Sequence, residues 1–96
     1  MRQYETMFIM KPEFDKEQAQ AVVDRYVDII KNNGGTVDKV SDWGKRRLAY
    51  EVKKYREGIY ALINFQSEPA VAAELERNFK ISEDVIRYLI IRTDDK

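Results

Sequence analysis

Residues 36–66 read TVDKVSDWGKRRLAYEVKKYREGIYALINFQ. This stretch decides the fold, because it holds two extended runs back to back with no helix between them. Val37, Val40, Trp43, Leu48, Tyr50 and Val52 are the apolar members of the first run, which spans 36–54. Their parity slips between Val37 and Val40, which predicts a bulge or bend, and Gly44 marks a second such point. Tyr55-Arg56-Glu57-Gly58 is expected to form the turn. Residues 59–66 follow as a strand that is apolar on both faces.

The flanks are helical. Upstream, Ala19, Val22, Val23, Tyr26, Ile29 and Ile30 recur at helical spacing, which predicts a helix over 16–33. Asp15 and Gln18 are spaced as a capping box, and Phe14 and Ala19 as a hydrophobic staple. Gly34-Gly35 provides the stop. Downstream, Ser67 is expected to cap a second helix with Pro69 in its first turn, and Val71, Leu75 and Phe79 to form its buried stripe. Two outer strands complete the pattern. In residues 3–10, Tyr4, Thr6, Phe8 and Met10 share one face and Glu5, Met7 and Ile9 the other. Residues 85–92 form the last strand, after a turn at Ser82-Glu83-Asp84. The order strand-helix-strand-strand-helix-strand is α+β: a ferredoxin-like split βαβ sandwich (βαββαβ), with a four-stranded antiparallel sheet and two helices on one face. The expected strand order is 4-1-3-2, with strands 2 and 4 at the edges. Residues 1–96 are expected to be one such domain, of which 93–96 form a short polar tail.

Composition narrows function. The 96 residues include neither Cys nor His, so disulfides, thiolate metal sites and the commonest general base are excluded. No Gly-rich phosphate loop follows the first strand, which exits through Met10-Lys11-Pro12. Asp24/Asp28 and Glu74/Glu76 read as solvated helix faces, and Tyr26 as core. No catalytic residue, metal ligand or cofactor is expected. No apolar run approaches the length of a signal peptide or membrane span, so a cytoplasmic protein is expected.

The 17 basic and 17 acidic residues cancel, which on its face opposes nucleic-acid binding. The cancellation is uneven. Between Lys39 and Arg56 seven basic residues face two acidic ones, a net +5. Residues 13–28 and 66–84 each carry −3. A basic second strand therefore accompanies an acidic helix layer. Alone, Lys45-Arg46-Arg47 fits a solvated edge that blocks aggregation as well as it fits RNA contact. Trp43, Tyr50, Tyr55 and Tyr60 beside it add surfaces on which bases stack, although most strand aromatics serve cross-strand packing. The third strand fits the RNA-recognition-motif signature poorly: Gly58, Tyr60 and Phe65 are present, but their spacing is wrong.

The decapeptide Trp43-Gly44-Lys45-Arg46-Arg47-Leu48-Ala49-Tyr50-Glu51-Val52, with the opening Met1-Arg2-Gln3-Tyr4-Glu5, closely resembles the bacterial small-subunit ribosomal protein six family. Met10-Lys11-Pro12, Gly34-Gly35, Gly58, Pro69 and Val85-Ile86-Arg87 extend the resemblance over nearly the whole chain. It implies a structural component of the small ribosomal subunit without enzymatic activity. It further implies binding to 16S ribosomal RNA in the central domain, together with small-subunit protein eighteen as heterodimer partner. Arg2, Lys45, Arg46, Arg47, Arg87 and Arg92 are then the expected RNA contacts, since Arg suits bidentate phosphate binding. Trp43, Leu48, Tyr50, Tyr60, Leu62, Leu89 and Ile91 are the expected protein-facing residues, on an open sheet face. The competing reading is a regulatory or dimerising domain that uses this face for another protein or a small ligand.

Overall fold

The computed structural model describes residues 1–94. Its elements are β1 (Arg2–Met10), α1 (Lys16–Asn32), β2 (Thr36–Val52), β3 (Tyr55–Ser67), α2 (Pro69–Ile81) and β4 (Val85–Arg92). The strands form one antiparallel sheet in the order β2-β3-β1-β4. Read from the other edge, this is the expected ferredoxin-like order. The core lies between the sheet and the helices, where Phe8, Tyr26 and Phe79 meet with ring centroids 4.4–5.3 Å apart. The pleat sends Tyr4, Thr6, Phe8 and Met10 from β1, and Ile59, Ala61, Ile63 and Phe65 from β3, toward the helices. Val71, Leu75 and Phe79 are the buried residues of α2, as their spacing predicts.

Both helix-start signals can be checked in atomic detail. Asp15 caps α1: its carboxylate accepts from the Gln18 N–H (2.8 Å), and the Gln18 side chain accepts from the Asp15 N–H (2.9 Å). Replacing Asp15→Ala is expected to lower stability by about 1 kcal/mol, read by urea unfolding. Ser67 does not cap α2. It is buried at the end of β3 and donates to the Glu68 carbonyl (3.1 Å), and Glu68 is the N-cap, without a side-chain bond. The strand claims Ser67 first, because its partner Arg2 extends the β1–β3 ladder to that point.

The β2–β3 turn also differs from expectation. It consists of Lys53 and Lys54, both with positive φ (50° and 72°), flanked by the Val52–Tyr55 pair. Two-residue hairpin turns twist to match their strands only with φ positive, a geometry that Asn and Gly usually announce and Lys-Lys does not. Tyr55–Gly58 therefore belong to β3. Gly58 is there for packing: a Cβ at this position would clash with Ile9 Cγ2 and lie 3.2 Å from the Met10 carbonyl. At the other end, Thr93 and Asp94 are tied to Gln3 through the Thr93 N–H to the Gln3 carbonyl (2.9 Å) and the Gln3 N–H to Asp94 (3.1 Å). The remainder of the expected polar tail, Asp95 and Lys96, lies outside the described residues.

Candidate binding face on the open sheet

The face of the sheet turned away from the helices carries the expected site, and its geometry starts with two bulges in β2. Val37 pairs with Phe65 and Lys39 with Asn64, so Asp38 is the extra residue. Asp42 pairs with Ala61 and Gly44 with Tyr60, so Trp43 is the second extra residue. The Asp42 carboxylate accepts from the Gly44 N–H (2.9 Å), and Gly44 takes φ +74°. This local turn throws the Trp43 indole onto Tyr60, with centroids 6.3 Å apart and planes within 19°. The Arg46 guanidinium lies 5.8 Å over the same indole, and its Nε donates to the Trp43 carbonyl at 3.3 Å. A cation over an aromatic face is held by the ring quadrupole.

Beyond this point the hairpin curls across the sheet toward β4. Tyr50 reaches Arg87, whose guanidinium lies 5.5 Å from the phenol ring and donates to its hydroxyl. That bond holds the Arg87 guanidinium above its ordinary pKa. Under the curl lies a hollow of about 200 Å³, lined by Met7, Ile9, Leu48, Val52, Tyr60 and Leu89 among others. Trp43, Tyr50, Leu89 and Ile91 are 43%, 61%, 51% and 42% exposed, so the exposed apolar side chains of the sheet cluster on one face. Leu48, Tyr60 and Leu62 are half-buried. All seven expected protein-facing residues thus share the open face. Met7 joins them. Its place on the same face as Glu5 and Ile9 follows from the alternation along β1, but a lone Met in a strand carries no signal for binding.

The expected RNA contacts do not form one cluster. Alternation along β2 sends Arg46 to the open face and Lys45 and Arg47 to the other side, where Lys45 lies near Phe14 and Lys16 at the start of α1. Arg87 is on the open face, opposite Ile9. Arg2 and Arg92 sit at the far end of the sheet, opposite Ser67 and Tyr4. Arg92 is ion-paired with Asp94 at 2.9 Å, and this partner, with the Gln3 N–H, holds the Asp94 carboxyl below its ordinary pKa. Among the described residues there is no group of acidic side chains arranged to hold a metal ion, and no helix long and apolar enough to cross a membrane.

Comparison with known proteins gives a consistent result. The profile of the family described as Ribosomal protein S6 matches residues 3–92. The chain is 51% identical to small ribosomal subunit protein bS6 of Heliobacterium modesticaldum, over all of both chains. It is 52% identical to the bS6 protein of Moorella thermoacetica, over all of this chain and 98% of that one. Among solved structures, the crystal structure of 30S ribosomal protein S6 from Thermotoga maritima superposes with a TM-score of 0.92 at 37% identity, covering 98% of this chain and 89% of that one.

Proposed function

The chain belongs to the ribosomal protein S6 family, structural and non-enzymatic components of the small ribosomal subunit in the cytoplasm, and from that premise we propose how its two surfaces divide the work. The basic hairpin binds 16S ribosomal RNA in the central domain. The apolar centre of the open face takes small-subunit protein eighteen. The observation that carries this reading is the separation of charge from apolar surface within one hairpin. Arg46 and Arg87 are drawn onto Trp43 and Tyr50, which leaves the middle of the face aromatic and aliphatic. Lys45, Arg47, Lys53, Lys54 and Arg56 are exposed around it. Phosphate attracts the second group, and a protein partner needs the first, because interface cores are poor in charge and rich in aromatics.

The zero net charge supports the same division. Only part of the surface attracts phosphate, so the chain alone is a weak RNA ligand and gains affinity when a partner binds beside it. Sedimentation of the tagged protein from a lysate tests the proposal. Co-migration with small subunits through a high-salt wash is the expected result. A free dimer under the same conditions would instead support the regulatory or dimerising reading.

A further inference from the structure

The two edges of the sheet are built differently. β2 carries Lys39, Lys45 and Arg47 along its length and is broken by the bulges at Asp38 and Trp43. Charges and bulges of this kind prevent another strand from adding. β4 has neither device over Tyr88-Leu89-Ile90-Ile91; its one register shift, at Ile86, lies before that run.

The β4 backbone is oriented for pairing. The Thr6 hydroxyl donates to the Leu89 carbonyl (3.0 Å), and the Thr93 N–H donates to the Gln3 carbonyl (2.9 Å). The polar backbone groups of Leu89 and Thr93 therefore face β1. By alternation, those of Tyr88 and Ile90 face outward. They offer two N–H donors and two carbonyl acceptors along the outer edge.

The side chains leave room for an added strand. On the helix side, Ala72 and Ala73 of α2 are small, and with Tyr88 and Ile90 they line a trough along this edge. Glu76 overhangs it, accepting from the Tyr88 hydroxyl at 3.5 Å. On the open side, Leu89 and Ile91 are exposed. Arg87 is engaged with Tyr50 and Arg92 with Asp94, and Lys53 and Lys80 line the neighbouring hollow at the Val85 end of β4, so the charged residue that lines the trough itself is Glu76.

We propose that the β4 edge accepts an extended segment of a partner protein as a fifth strand, with small or apolar side chains in the trough and a Lys or Arg opposite Glu76. Backbone pairing with Tyr88 and Ile90 supplies affinity, and the trough supplies specificity, as in other strand additions. A second copy of this chain fits less well. Pairing β4 with β4 about a two-fold axis sets the two α2 helices side by side and brings Glu76 toward its mate, a like-charge approach that disfavours association. A bare extended segment brings no helix layer and places a cation there instead. The proposal does not depend on which ribosomal partner occupies the open face.

Three ten-residue peptides, ~33 Å when extended, provide the test. The first alternates Thr and Val around a central Lys, the second has Glu in place of Lys, and the third is the Lys peptide with alternate amides N-methylated. Amide hydrogen exchange of the intact chain is the readout. The Lys peptide is expected to slow exchange at Tyr88 and Ile90 about tenfold, the Glu peptide less, and the methylated peptide not at all. Glu76 is exposed, so Glu76→Lys keeps the fold, and it is expected to reverse the order of the first two peptides. The proposal is overturned if no peptide protects these amides at millimolar concentration, or if protection falls on β2 or around Tyr60. It is equally overturned if Glu76→Lys leaves the preference unchanged, or if Tyr88 and Ile90 become protected without peptide in a concentration-dependent dimer.

Discussion

Tyr60→Ala is expected to lower the affinity for the proposed partner, small-subunit protein eighteen, about thirty-fold or more while the fold persists. The magnitude is that of a central aromatic anchor, whose truncation costs at least about 2 kcal/mol. Tyr60 qualifies by position. It lies on β3, an interior strand, half-buried at the edge of the hollow and stacked on Trp43. Removing its ring takes away a contact surface and also the platform that holds the indole, so two anchors are lost together. The fold survives because Tyr60 projects from the outer face, while its neighbours Ile59 and Ala61 face the core. Calorimetric titration with the purified partner measures the affinity, and thermal melting of the variant alone separates an interface effect from unfolding. Wild-type affinity in a folded Tyr60→Ala protein would remove Tyr60 from the interface.

The fold was legible because its signals are periodic and local. Period-two alternation in β1 and the 3.6-residue stripe of α1 each name a buried face without reference to any other element. The Asp15–Gln18 box fixes a helix start within four residues. The β2–β3 turn was not legible, because Lys53 and Lys54 adopt a backbone that their side chains do not announce, while Gly58, which looks like a turn residue, is needed for close packing against Ile9. Candidate site residues were legible as types, and their grouping was not. Which face Arg46 takes and which Arg47 takes depends on register past the Trp43 bulge, which no sequence pattern counts reliably. Arg87 is the clearest case. In sequence it is an exposed cation suited to phosphate. In the fold it meets Tyr50, 37 positions earlier, and this pairing holds the hairpin over the hollow. Its expected role as an RNA contact therefore competes with a role in shaping the protein-facing surface.

The hairpin run carries the other large effect. Lys45→Ala/Arg46→Ala/Arg47→Ala is expected to weaken binding to the proposed central-domain RNA about a hundredfold, chiefly through Lys45 and Arg47 because Arg46 is held on Trp43, at about 1.5 kcal/mol for each lost charge-assisted contact. The logarithmic salt slope should fall by about 1.5, at roughly 0.7–0.9 for each of the two phosphates no longer neutralised. Filter binding across a salt series, with protein eighteen present at saturating concentration, measures both. The slope is the more informative number, because it counts counterions released and is insensitive to modest changes in shape. Arg87→Ala is the necessary contrast. Arg87 and Tyr50 hold each other, so its loss frees the hairpin and should weaken the protein partner more than it changes the slope. If Arg87→Ala lowers the slope as much per residue as the triple variant does, then Arg87 leaves Tyr50 for phosphate in the complex, and the hairpin opens when RNA binds. If the triple variant keeps the wild-type slope, Lys45, Arg46 and Arg47 serve only to keep a long edge strand from pairing, and the phosphate contacts must be sought at Arg2 and Arg92, on the far end of the sheet.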